Sequence, residues 1–303
     1  MSNKEKIAVN CMLCTTSMLS GSSYAYRKMA LLFVGPFFFN AWRYLLAFFV
    51  LFISYLISER IRKGRGKPSG DLKPAIWQAQ RGVILGLFFS VGVTFQQIGL
   101  ITSNAGKCGF ITSLYIFFTP IISRLILGKH ISVKIWVGVI IAAAGLFFIS
   151  AGNSFSIVTG DVLYLLSAVL FAIHIILIGN FVGYSNPILL VSVQMLTCSV
   201  LNAFLFLFVG DESTFAGLLA AIWPVIYTGV FTISLGNLLQ FIAQKKASPS
   251  ITAIIMSLES VFAAVFAALI ISERMNALQL TGCGLIFLAI LISQIEKTQR
   301  TKE

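Results

Sequence analysis

The sequence predicts an all-α integral membrane protein with ten transmembrane helices arranged as two inverted five-helix repeats. Three observations lead there. The 303 residues are 58% hydrophobic and only 11% charged, whereas a soluble protein carries about 25% charged residues. The hydrophobic residues gather into ten continuous runs, each near the roughly 20 residues that a spanning helix needs. The pattern of the first half also recurs in the second, so residues 1–152 and 153–303 read as two copies of one unit.

Taken in order, the predicted spans cover 7–26, 37–57, 83–101, 106–127 and 133–151 in the first unit. The second unit has 162–181, 187–209, 218–241, 248–271 and 278–295. These runs are continuously apolar instead of alternating, which makes them helices and not barrel strands. Matching landmarks tie the units together. Pro36 stands seven residues before Arg43, and Pro187 seven before Gln194. Ala25 matches Ala172, and Thr112 and Thr119 line up with Thr252 and Glu259. Lys129 is followed nine residues on by Gly138, and Glu273 by Gly282. The offsets drift through 147, 151, 140 and 144, as small loop insertions in a diverged duplication would produce. A five-span unit ends on the opposite side of the membrane from its start. The second copy is therefore inverted, an architecture of transporters.

Charge gives the topology. The net charge of +12 invites a nucleic-acid partner, but its distribution argues against one. With the N-terminus inside, 17 of the 22 Lys and Arg fall on the cytoplasmic side. Seven of them lie between the second and third spans: Arg60, Arg62, Lys63, Arg65, Lys67, Lys73 and Arg81. The opposite loops and their edges hold Arg27, Lys28, Lys107 and Arg274, and Arg43 sits inside the second span. This is the positive-inside pattern of an inner-membrane, multi-pass protein with both termini cytoplasmic. The basic loop is also suited to rest on anionic headgroups. Lys4 and Lys6 before an apolar run have the look of a signal peptide, but its removal would leave the sixth span without a counterpart. All five cysteines fall in predicted spans. Cys11 and Cys14 form a C-x-x-C with no second pair. A structural zinc needs about four ligands, so the cysteines read as small hydrophobes and no metal or cofactor is expected.

Several stretches carry a family likeness. Residues 95–120 read FQQIGLITSNAGKCGFITSLYIFFTP, residues 160–176 read GDVLYLLSAVLFAIHII, and residues 245–275 read KKASPSITAIIMSLESVFAAVFAALIISERM. They resemble the drug/metabolite transporter superfamily in its ten-helix form with two EamA-type repeats. The resemblance covers all but the tails and the 60–80 loop. It implies transport of a small molecule, drawn from amino acids, amines, drugs, sugars and nucleotide-type metabolites. Many relatives read S-L-E-P in the ninth span. Here Ser257-Leu258-Glu259-Ser260 lacks that proline, and with it the kink that proline imposes.

Ionisable residues inside spans are costly in lipid and mark functional positions. Glu259 lies midway along the ninth span, with no Lys or Arg within a helical turn. Ser248, Thr252 and Glu259 share one helical face, while Ala253, Ser257, Ser260, Ala264 and Ala267 form a small stripe suited to close packing. Glu259 either faces a cavity or bonds to a neighbouring helix. In the fourth span Cys108, Thr112, Tyr115 and Thr119 form another stripe, where Tyr115 can both stack and hydrogen-bond. Its hydroxyls either line a cavity or bond back to their own helix. In the third span Gly92, Gln96, Gly99 and Ser103 share a face with Gln97 beside it, and the eighth offers Asn237, Gln240 and Gln244. Amides in lipid need partners, so these form a polar pathway or an interhelical glue. Tyr24 and Arg27 of the first span match Phe171 and His174 of the sixth. His174 is a candidate for proton coupling, or for a plain bond to a carbonyl. Arg43, matched by Gln194, either binds an anionic substrate group or pairs with a carbonyl or carboxylate.

The two histidines, His130 and His174, join no catalytic constellation, and no Walker-type loop is present. The expectation is a non-enzymatic secondary transporter working by alternating access on a solute or ion gradient. A lone mid-membrane Glu favours an amine or amino-acid-like metabolite, or a proton. The alternatives are an anionic metabolite held by Arg43, or a membrane sensor or scaffold without flux. Expected partners are the bilayer, the small-molecule substrate and protons, with the chain acting as a monomer or homodimer.

Overall fold

The computed structural model describes residues 2–64, 72–103, 105–128, 131–150, 158–271 and 277–294. Lys129, His130, Glu273 and Arg274 lie outside them, as do Arg65 and Lys67 of the basic loop and the basic residues of the C-terminal tail. Ten helical segments run through the described residues. In the first half they are α1 (Asn3–Ala30), α2 (Pro36–Gly64), α3 (Ala75–Thr102), α4 (Ala105–Thr112, then Tyr115–Leu127) and α5 (Val133–Ser150). In the second half they are α6 (Thr159–Phe181), α7 (Pro187–Val209), α8 (starting at Phe215–Ala220 and ending at Asn237–Gln244), α9 (Pro249–Met256, then Leu258–Ile271) and α10 (Ala277–Gln294). Seven of these are long and apolar enough to cross a membrane, and α5 and α10 carry shorter apolar stretches. α1 is the most polar of the ten, for a reason given by its serines below.

The sequence sets the ends. Pro187 and Pro249 occupy the first turn of α7 and α9, where a missing N–H costs nothing. Asn186 and Ser248 cap those helices by accepting from the Ile188 and Ile251 N–H groups. Gly128 closes α4 in the left-handed conformation at φ 61°, a common stop for a helix.

Packing repeats under a shift of five helices. α2 packs on α7, α4 on α9 and α5 on α10, each pair joining equivalents. The contact of α3 with α6 is mirrored by α8 with α1, that of α3 with α7 by α8 with α2, and that of α1 with α9 by α6 with α4. Helix ends meet in two separate groups. On one side the Phe37 and Phe38 N–H groups donate to Asp211 at 3.1 Å, Lys28 Nζ donates to the Ser103 carbonyl at 3.2 Å, and Ser103 donates to Asp161 at 2.8 Å. On the other side Lys246 pairs with Glu5, Lys73 N–H donates to the Tyr184 carbonyl at 3.0 Å, and Asn186 N–H donates to Gln78 at 2.9 Å. The ends alternate between these groups, so the second five-helix unit is inverted relative to the first.

Two helices break at matching points. In α4 the Thr112 and Ser113 hydroxyls bond back to the Cys108 and Gly109 carbonyls at 2.8 and 2.9 Å, and the chain turns through Ser113 and Leu114. In α9 the Ser257 and Ser260 hydroxyls both bond back at 2.7 Å, to Ile254 and Ser257, and the helix breaks at Ser257. Hydroxyl competition for backbone groups supplies the bend, so α9 is broken without a proline at that point. Matching Ser113 to Ser257 gives an offset of 144, not the expected 140. Tyr115, not Thr119, then stands opposite Glu259. A slip of four residues keeps the same helical face, which is why the sequence pattern could not reveal it. In α8, residues Tyr227–Gly236 are π-helical, a geometry that favours functional sites.

Candidate functional site

The breaks frame a cavity at the centre of the bundle, bounded by α1, α2, α3, α4, α6, α8 and α9. About 690 Å³ of atom-free space lies between its walls, open mouth included. α1 contributes Thr16, Ser20, Ser23 and Arg27, spaced i, i+4, i+7 and i+11 on one face. That polar face is what lowers the hydropathy of α1. Close approach of α1 to α9 requires Gly21, where a Cβ would stand 2.6 Å from the Glu259 carbonyl oxygen.

Two sets of hydrogen bonds meet beside Thr112 in the cavity wall. Arg27, only 4% exposed, donates from Nε to Gln97 Oε1 at 2.8 Å and from Nη1 to Gln96 Oε1 at 3.1 Å. Gln96 Nε2 donates to Thr112 Oγ1 at 3.0 Å, whose own proton is committed to the Cys108 carbonyl. The Tyr24 hydroxyl lies 3.2 Å from Thr112 Oγ1 and donates to Glu259 Oε1 at 2.7 Å. A guanidinium and a carboxylic group thus face one cavity, each held by its own set of hydrogen bonds.

Three buried polar atoms on the cavity-lining residues have no protein partner: Arg27 Nη2, Arg43 Nε and Tyr115 Oη. Arg43 lies between the Phe39 and Tyr44 rings, 4.9 and 4.8 Å from their centroids, and donates from Nη2 to Tyr44 Oη at 3.1 Å. Buried donors without partners are costly. Opposite them, His174 Nε2 meets Gln194 Oε1 at 2.9 Å, with its ring 4.9 Å from that of Phe89. Apolar walls come from Phe89, Val93, Phe171, Ile175, Ile233 and Met256.

The expected site residues divide into two groups. Glu259, Tyr115, Thr112, Gln96, Asn237, Gln240, His174 and Arg43 border the cavity. The other four stand behind its wall. Tyr24 and Gln97 hold Glu259 and Arg27 in place, while the Thr119 and Thr252 hydroxyls bond back to the Tyr115 and Ser248 carbonyls at 2.7 and 3.0 Å. Gln244 is interhelical glue, donating to the Ile175 carbonyl at 2.9 Å. Arg27 corrects the sequence reading. Expected at an outer loop edge, it points into the bundle, because Gln96 and Gln97 meet its charge there. The signal lay in the sequence, in the polar stripe that runs from Thr16 to Arg27. A second network, Asn40–Asn202–Thr94 with Ser90, ties α2, α3 and α7 together and was not foreseen.

Comparisons with known proteins agree with this architecture. A solved crystal structure superposes with a TM-score of 0.74 over 94% of this chain and 96% of that one, at 15% identity, a likeness of fold alone. An uncharacterized transporter of Archaeoglobus fulgidus is 31% identical over 280 residues, covering 92% of this chain and 83% of that protein. The uncharacterized transporter YyaM of Bacillus subtilis is 24% identical over 287 residues, covering 92% and 91%. The profile of the EamA-like transporter family matches residues 7–151 and again 158–294. Two matches that together span nearly all the helices, over a ten-helix inverted-repeat fold, show that this chain belongs to the EamA-like transporter family.

Proposed function

We propose that this membrane transporter carries a small zwitterionic, amino-acid-like metabolite by alternating access through the central cavity. The observation that supports it most is the pairing of opposite charges in one buried space. Arg27 and Arg43 each offer an unpartnered donor, and Glu259 offers a carboxylic group. A substrate carboxylate fits the guanidinium donors, whose geometry suits carboxylates, and a substrate amine fits Glu259. Tyr115 Oη supplies a further donor, and the aromatic and aliphatic walls take an apolar side chain. The two units, residues 1–152 and 153–303, move against each other around this site, and the breaks in α4 and α9 absorb the motion. Glu259 can take a proton in place of an amine, which would couple flux to a proton gradient. His174 borders the same cavity as a second titratable group. We place the protein in the inner membrane with both termini cytoplasmic, from its charge distribution.

Thermal stabilisation of the purified protein tests the substrate class, since a ligand that binds the folded state raises the melting point. L-Leucine is compared with isoamylamine and 4-methylpentanoate, which lack its carboxylate and its amine respectively. Stabilisation by the zwitterion above both analogues supports this reading. Strongest stabilisation by the acid alone favours an anionic metabolite held by the two arginines.

A further inference from the structure

Arg27 and Glu259 share a low-dielectric cavity, where opposite charges attract far more strongly than in water. Left free, two such side chains would close into an ion pair and remove both anchors at once. The structure shows what opposes that collapse. Two of the Arg27 nitrogens are committed to Gln97 and Gln96. Glu259 Oε1 is committed to the Tyr24 hydroxyl at 2.7 Å. Tyr24 and Gln96 converge on the same atom, Thr112 Oγ1, at 3.2 and 3.0 Å. That atom is itself fixed by the Thr112 bond to the Cys108 carbonyl at 2.8 Å. Tyr24 is 1% exposed and does not line the cavity, so its ordered position serves Glu259 and not the substrate.

We infer that Tyr24, and Gln96 anchored on Thr112, are positioning residues that hold the Glu259 carboxylic group and the Arg27 guanidinium apart. The cavity thereby keeps two separate anchors, and their spacing selects for ligands with an amine and a carboxylate at matching distance. The selection of a zwitterion rests on the proposed function above; the separation of the two groups does not, and it can be measured without any ligand.

The test has two arms. In the first, melting temperatures are compared for Arg27→Gln, Glu259→Gln and the double variant, in the wild-type and Tyr24→Phe backgrounds. Residues in contact show non-additive losses. With Tyr24 intact the two losses should show only the coupling that their charges exert across the cavity. In Tyr24→Phe the carboxylate is released to meet Arg27, so the double variant should lose much less than the sum of the singles. Equal coupling in both backgrounds overturns the inference. Should Tyr24→Phe fail to fold, Thr112→Val removes the brace and should shift the coupling in the same direction. In the second arm, Tyr24→Phe should weaken L-leucine and 4-methylpentanoate binding about tenfold each, the scale of one charge-assisted hydrogen bond, because both anchors are consumed, and adding Glu259→Gln should free Arg27 and restore binding of 4-methylpentanoate alone. A purely structural loss would show no such rescue and also counts against the inference. No L-leucine binding by the wild type would sink the substrate reading, while the ligand-free arm would still decide the separation.

Discussion

At the scale of single residues, Glu259 is the position on which function turns. It is 8% exposed, borders the cavity and has the Tyr24 hydroxyl as its bonded neighbour. Glu259→Gln keeps the shape and removes the charge. We expect it to fold, with a melting point within a few degrees of wild type, and to lose at least about tenfold in flux, the effect of one charged contact. A variant with lowered yield and melting point but full flux per folded molecule would make Glu259 structural. Arg27 shows how far the sequence could be read at this scale. A charge inside a span stands out at once when it is central, as Glu259 and Arg43 are. Arg27 sits within a turn of the helix end, where a cation usually belongs to the interface. Only its amide partners on α3, fixed by tertiary packing, turn it inward. Tyr24 and Gln97 were legible as polar residues of the right spans, but whether each faces the cavity or supports a neighbour that does is decided by side-chain geometry.

At the scale of helices, the number of elements followed from hydropathy, while several helices run past the predicted spans, α2 on to Gly64 and α3 back to Ala75. The irregularities did not follow from it. The breaks at Ser113–Leu114 and Ser257 arise from hydroxyls bonding back to the helix, a choice that a serine in a span leaves open. The π-helical turn of α8 leaves no mark in hydropathy. Close packing is a further demand of these elements. Gly21 lets α1 lie against α9 beside Glu259, where an added Cβ would come within 2.7 Å of Phe262 Cβ. Gly21→Val should therefore lower stability by about 1–3 kcal/mol through overpacking and displace Glu259. A thermal melt and an L-leucine stabilisation assay would read both effects, and an unchanged melting point would mean that α1 and α9 are not in tight contact. At the other end of α1, the Lys246 ammonium holds the Glu5 carboxyl down, with help from the Ser2 N–H, to about 2 against its ordinary 4.5. A depressed carboxyl stabilises fully above its ordinary value and ceases to do so as pH falls through about 2. The pair is exposed and worth little. Glu5→Gln should then leave the pH profile of transport unchanged between pH 5 and 8. A shifted profile in that range would show that this contact gates the cavity.

At the scale of the whole molecule, the inverted repeat was legible because two chemically simple facts encode it: an odd number of spans per unit, and landmarks that recur at a nearly constant offset. The register between the units was not, since a one-turn slip preserves every face. The positive-inside distribution is the ground for the sidedness we propose. Cysteines introduced near Lys63 should react with an impermeant reagent only from the cytoplasm, and those near Asp211 only from outside. The reverse pattern would invert the proposed topology. Membership of the EamA-like family and a charged, metabolite-sized cavity between the units together make transport the central claim. The most direct measurement of it is uptake of labelled L-leucine, isoamylamine and 4-methylpentanoate into proteoliposomes, with flux normalised to folded protein. The account predicts saturable uptake of the zwitterion above both analogues, lost in Glu259→Gln; stabilisation by L-leucine without any flux, or flux that survives Glu259→Gln unchanged, would contradict it.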